Sequence, residues 1–443
     1  MTIIEQALER ATDTKGLLIA EDAIDGVANM FANMFPNSRP IVIADPTTWR
    51  IAGEKVNTLL KDSGLNPEEA FILSDRDLHA EWKYVESLDK VLGATDAVAV
   101  AVGSGTINDL AKLSSHHCGK RYMNVSTAAS MDGYTAYGAS ITKDGAKQTF
   151  SCPAPLAVVA DISVIAQAPA DMTASGYADL FAKIPAGADW IISDALGIEP
   201  IDSFAWELVQ GSLKSALANP ALIKSGDKKA IYSLIEGLIM SGFAMQAHQT
   251  SRPASGADHQ FSHLWNMEHH AMADGTTPSH GFQVSIGTLM STALYEQMLK
   301  EDIGNLDIDA CVAGWPSLED QIRASREVFR DTDFPTIGET ELSAKYVDND
   351  ALRHQLTLLK QNWPDIKTRL EHQLVPFEEL RESLRLVGAP TEPEQIGISR
   401  QRLYSSAVKA QMIRRRFTIL DVAVRTNSLN KWLKQVFTNE FKN

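Results

Sequence analysis

The run Ala97-Val98-Ala99-Val100-Ala101-Val102 passes straight into Gly103-Ser104-Gly105 and then into the helical stretch Thr106 to Ser114. A short unbroken apolar run that ends at glycine suits a strand buried on both faces, and such strands belong to parallel sheets covered by helices. The segments around it keep the same rhythm. Arg39 to Asp45 reads as another buried strand, followed by a helical stretch through Leu60 and a strand near Ala70 to Leu73. Tyr122 to Val125 and Leu156 to Asp161 read as two more. Strand, helix, strand in this order predicts an open α/β sheet with right-handed crossovers.

After about residue 168 the pattern changes to long helical periodicities at Asp202 to Leu217, Ala230 to His248, Gln283 to Lys300 and Ser399 to Thr426, without strands. A chain of 443 residues exceeds the size at which one core stops growing. The expected architecture is α/β: a Rossmann-like open parallel-sheet domain over 1–168, then an all-α domain over 169–443, with the active site in the cleft between. Gly388 to Glu394, rich in Pro and Glu, reads as a loop.

Composition excludes several partners. A formal net charge of −15 disfavours nucleic acid and anionic membrane surfaces, because both are polyanions. The basic run Arg414-Arg415-Arg416 lies in a helical-looking segment and reads as a solvated helix face. Cys118, Cys152 and Cys311 are far apart and odd in number, which argues against a disulfide framework or a thiolate zinc site. The N-terminus carries acids and lacks an apolar core of the signal type, and no apolar stretch approaches the roughly 20 residues of a spanning helix. Together these features predict a cytoplasmic protein with a small-molecule ligand.

A glycine pair that closes a buried strand and opens a helix sets backbone N–H groups where a pyrophosphate would sit. Gly103-Ser104-Gly105 has that context, although Asn108 stands at the third glycine position of the usual dinucleotide fingerprint. A plain tight turn fits equally well. Ser126-Thr127-Ala128-Ala129-Ser130 also follows a strand, and its small side chains suit either close approach of a ligand or a capped helix start. Asp45 ends a strand, where a carboxylate either accepts hydrogen bonds from an adenosine ribose, favouring NAD over NADP, or caps a helix.

Six of the eleven histidines, His248, His259, His263, His269, His270 and His280, fall within one short window. His259 and His263 are four apart and would share a helix face, and His280 begins the next helical segment. Imidazole suits Zn, Ni or Fe, and a catalytic centre needs about three protein ligands plus an open position. A carboxylate would complete the set. Asp179, near the start of the second domain's first helix, is a candidate, and spacing alone leaves Asp171, Asp189 and Asp258 as rivals. His269 and His270 read as exposed or structurally bonded.

Val102 to Asp109, Ser126 to Tyr134, Gly176-Tyr177-Ala178-Asp179, Ser251 to His263 and His280-Gly281 resemble glycerol-1-phosphate dehydrogenase, most closely its bacterial branch, within the iron-dependent alcohol dehydrogenase and dehydroquinate synthase-like superfamily. Ser251 to His263 is the most specific part. The resemblance implies one divalent metal ion (Zn, Ni or Fe) on Asp179, His259 and His280, which selects Asp179 over its rivals. It implies nucleotide contacts (NAD or NADP) at Gly103, Ser104, Gly105, Thr106 and Ile107 and at Thr127, Ala128, Ala129 and Ser130. Catalytic and substrate contacts fall on Asp132, Asp179 and His263. Ala136 stands where the family usually places a serine that contacts the cofactor, and Asp258 where glutamate is usual. The implied reaction is reversible NAD(P)H reduction of dihydroxyacetone phosphate to sn-glycerol 1-phosphate by a homodimer. A glycerol-type polyol dehydrogenase, an NAD-using cyclising synthase and a non-catalytic nucleotide-binding protein are the alternatives. Lys183 and Arg252 are the cations nearest in sequence for the phosphate, and Ile303 to Asp331 looks like extra length.

Overall fold

The computed structural model describes residues 2–75, 78–143 and 146–441. Its strands are β1 (Gly16–Ala20), β2 (Pro40–Ala44), β3 (Phe71–Ile72), β4 (Val98–Gly103), β5 (Met123–Ser126), β6 (Ala139–Lys143), β7 (Ala146–Phe150) and β8 (Ala157–Asp161). Six of them form one sheet in the order β1-β8-β5-β4-β2-β3, every pairing parallel. β6 and β7 form a separate antiparallel hairpin.

The alternation of side chains along β4 accounts for its burial on both faces. Val98, Val100 and Val102 pack with the helices Val27–Met34 and Glu54–Asp62 on one face, whereas Ala99 and Ala101 pack with Trp82–Gly93 and Gly105–His117 on the other. The chain leaving β2 turns to the first of these faces and the chain leaving the adjacent β4 turns to the second. That divergence opens a crevice at the carboxyl ends of β2 and β4, the place where open parallel sheets hold nucleotides. Asp45 and Gly103 to Gly105 flank it.

The chain divides into two compact units, one of residues 1–180 and 207–251, the other of residues 181–206 and 252–443. The helices within 207–251 thus group with the sheet. Lys228–His248 among them has 21 residues and is long and apolar enough to cross a membrane by length and composition, contrary to the expectation that no stretch would be. Most of it is buried inside the structure. Gly242 explains the close fit, since a Cβ there would lie 2.1 Å from Thr135 Oγ1. It is a core helix of the first unit.

The second unit is helical, and no strand occurs after Asp161 among the described residues. The periodicity from Ser399 to Thr426 is two helices, Arg400–Met412 and Ile419–Arg425, and Asp202 to Leu217 likewise divides into Ser203–Gln210 and Leu213–Ala216. Thr418 caps the later helix through a reciprocal pair with Asp421, and the earlier one has already ended at Met412. The basic run falls in this break and is not a solvated helix face. Only Arg415 is exposed; Arg416 donates to the Ser255 carbonyl at 2.8 Å, and burial pulls the pKa values of Arg414 and Arg416 down. The extra length carries Ile308–Ala313 and Leu318–Phe329, the latter packed on Ile337–Lys345.

Candidate functional site

In the first unit the glycine loop lies against the loop after β5. The Thr127 N–H donates to the Gly103 carbonyl at 3.2 Å. A Cβ on Gly103 would lie 2.6 Å from Ile107 Cβ, so glycine is what lets the helix start this close to its strand. Thr106 and Ile107 form the first turn of Gly105–His117. Thr127 to Ser130 opens no helix, which removes the capped-helix alternative and leaves an irregular loop. Tyr134 donates its hydroxyl to the Ala128 carbonyl at 2.6 Å, and Ser175 donates to Ser130 O at 3.2 Å. A Cβ on Gly176 would stand 1.9 Å from the Ala129 carbonyl oxygen, so the Ala170–Phe181 helix rests directly on this loop. Gly176→Ala must push one of them aside, an overpacking cost of about 1–3 kcal/mol. The expected outcome is a lower urea midpoint together with weaker nucleotide binding in a fluorescence titration.

Asp179 lies in the last turn of Ala170–Phe181, not near the start of a helix of the second domain, because that helix already begins at Ala170. It is fully buried, and its Oδ2 accepts the Asp132 N–H at 3.0 Å. Asp132 Oδ2 in turn accepts the Ser241 hydroxyl at 2.9 Å. Ala136 is buried. Asp45 caps the turn after β2, with Oδ1 accepting the Thr47 and Thr48 N–H groups and Oδ2 the Thr48 hydroxyl.

In the second unit Ala257–Met267 carries His259 and His263 on one face, their ring centroids 6.3 Å apart. His280 is the first residue of His280–Lys300, which Ser279 caps by accepting the Phe282 N–H. The His259 and His280 rings lie 5.3 Å apart. Two helices meet closely here, since a Cβ on Gly287 would be 2.2 Å from the Asp258 carbonyl oxygen. His259 Nδ1 makes a very short hydrogen bond to the buried carboxylate of Asp258. A carboxylate on one imidazole nitrogen fixes the ring and makes the other nitrogen a better metal donor. Asp258 reaches Nδ1 of His259 despite being shorter than glutamate. His280 Nδ1 faces Ser262 Oγ at 3.5 Å.

The other three histidines of the window meet neighbours in the fold. His248 meets Thr250 at 2.9 Å, and the exposed His269 meets Asp333 at 2.8 Å. Buried His270 bonds Ile396 O through Nε2 and accepts from Arg402 through Nδ1, and burial lowers its pKa. Arg252 is fully buried, with Nη1 donating to Phe417 O, Nη2 to Asp189 O and Nε paired with Glu199, so its guanidinium is occupied within the fold and unsuited to a phosphate. Lys183 is fully buried at the start of Lys183–Ala195.

The iron-containing alcohol dehydrogenase family model matches residues 18–169. Over 266 residues the chain is 36% identical to the glycerol-1-phosphate dehydrogenase (NAD(P)+) of Halalkalibacterium halodurans, a match covering 59% of this chain and 66% of that one. The relative of the same name from Geobacillus stearothermophilus is 32% identical over 324 residues, 73% of this chain and 70% of its own. This chain belongs to the glycerol-1-phosphate dehydrogenase family. A crystal structure of a probable glycerol dehydrogenase from Sinorhizobium meliloti shares the fold, with a TM-score of 0.58 at 17% identity over 96% of this chain and 98% of that one.

Two buried charges of this glycerol-1-phosphate dehydrogenase family member lie outside the motifs that carry the resemblance. Lys112 is 1% exposed and donates at 3.0 Å to each of the carbonyls of Gly133, Ala136 and Gly138, closing the loop that contains Asp132. Asp189 is fully buried, and burial pushes its carboxyl up to about 7. Nothing in a single sequence separates such residues from surface charges, because only their partners in the fold satisfy them.

Proposed function

We propose that this chain interconverts dihydroxyacetone phosphate and sn-glycerol 1-phosphate, with NAD(P)H as hydride donor and a divalent ion on Asp179, His259 and His280. The observation that carries the reading is the His259 and His280 pair, 5.3 Å between ring centroids, with His259 Nδ1 committed to Asp258. One carboxylate and two imidazoles are donors that suit Zn, Ni or Fe. When bound, the ion would supply Lewis-acid polarisation of the substrate carbonyl and the nicotinamide would supply the hydride.

The chain's own residues account for the rest. Gly103 to Ile107 and Thr127 to Ser130 offer main-chain groups and small side chains to the nucleotide phosphates beside a helix N-terminus. Asp45 adds a negative charge at the crevice edge, where an unphosphorylated ribose is favoured. Asp132, fixed by Ser241 and by its N–H on Asp179, orients a substrate hydroxyl. His263, one helical turn beyond His259, exchanges the proton that the alcohol gains or loses.

The test is NADH oxidation with dihydroxyacetone phosphate and with dihydroxyacetone, after reconstitution with Zn, Ni or Fe in turn. A kcat/KM at least about a hundredfold higher for the phosphorylated ketone, worth ~2.7 kcal/mol, is expected. Equal rates would instead mark a polyol dehydrogenase.

A further inference from the structure

One carboxylate ties together the two helices that bear the histidines. Asp189 Oδ2 accepts the N–H of Ala257 at 2.7 Å, at the first residue of the His259 helix. Asp189 Oδ1 accepts the hydroxyl of Tyr295 at 2.6 Å, from the helix that His280 begins. The same oxygen accepts the Ile419 N–H at 2.7 Å, at the start of Ile419–Arg425. Gly256 admits this arrangement, since a Cβ there would lie 2.3 Å from Asp189 Oδ2. From the other side, Arg252 Nη2 holds the Asp189 carbonyl at 2.8 Å.

Metal–nitrogen bonds tolerate errors of only about 0.2 Å, so two ligands on separate helices coordinate well only if something fixes the helices against each other. Direct packing at Gly287 does part of this. We infer that Asp189 is a positioning residue that sets the spacing of His259 and His280, a role that rests on the metal reading above. It touches neither ion nor substrate. Every partner of its two oxygens is a donor, so an amide in its place turns an N–H group onto at least one N–H or O–H and breaks a link whichever way it points.

The experiment compares wild type, Asp189→Asn, Tyr295→Phe and Leu359→Ala. Leu359 is buried in Asn349–Gln361 and makes none of these bonds, so its truncation lowers stability alone. Zinc affinity is read by chelator competition, and site geometry by the visible absorption of the cobalt(II) form. Asp189→Asn and Tyr295→Phe are expected to bind zinc about 10–100-fold more weakly with shifted cobalt bands, while Leu359→Ala keeps wild-type affinity and bands. If Asp189→Asn does not fold, Tyr295→Phe decides. Unchanged affinity and bands in the variants, or equal weakening in Leu359→Ala, overturn the inference and leave the metal reading standing. A wild-type chain that binds no metal overturns both.

Discussion

His259→Ala is expected to lose its metal and, with it, turnover by about a thousandfold or more. Lewis-acid stabilisation of developing charge contributes several kcal/mol, and ~4 kcal/mol corresponds to about three powers of ten in rate. The fold should survive, because His259 is one residue of a helix fixed by Asp189 and by packing at Gly287. It will be less stable. Removing the imidazole takes away the partner of the Asp258 carboxylate, which is fully buried, a loss of about 1–3 kcal/mol. Metal analysis after gel filtration, steady-state NADH oxidation and far-ultraviolet circular dichroism together check this. A variant retaining metal and rate would remove His259 from the ligand set.

Lys112→Met should destabilise the first unit by about 3 kcal/mol or more. The ammonium serves three carbonyls, those of Gly133, Ala136 and Gly138, and leaving buried acceptors unsatisfied costs about 1–3 kcal/mol apiece. Methionine fills a similar volume, so the loss reports the missing donors and not a cavity. The loop so released carries Asp132, so substrate KM should rise. Urea unfolding followed by circular dichroism measures the first effect and initial rates the second. An unchanged urea midpoint would mean that the three carbonyls find other partners.

Local periodicity made the site's framework readable. The apolar run of β4 ending at Gly103, the four-residue spacing of His259 and His263, and the helix opening at His280 all depend on neighbours in sequence. What was not readable depends on distant partners. β1 is a five-residue segment, Gly16–Ala20, whose burial is partial and whose pairing is supplied by β8, far along the chain. The β6–β7 hairpin mixes polar and apolar residues and lacks the continuous apolar run by which the buried strands are recognised. The break before Thr418 did leave a trace, Thr418-Ile419-Leu420-Asp421, a capping pattern outweighed by the helical periodicity on either side. Lys112 and Asp189 left none, since a buried charge is distinguished only by the donors or acceptors that fold around it.

The sheet itself has a consequence for how subunits can associate. It ends at β3, which pairs with β2 at just two positions, Ile43 with Phe71 and Ala44 with Ile72. A margin this short gives another chain almost no row of main-chain donors and acceptors to join. Two copies could not merge their sheets across that side, and an interface there would have to be made of side chains.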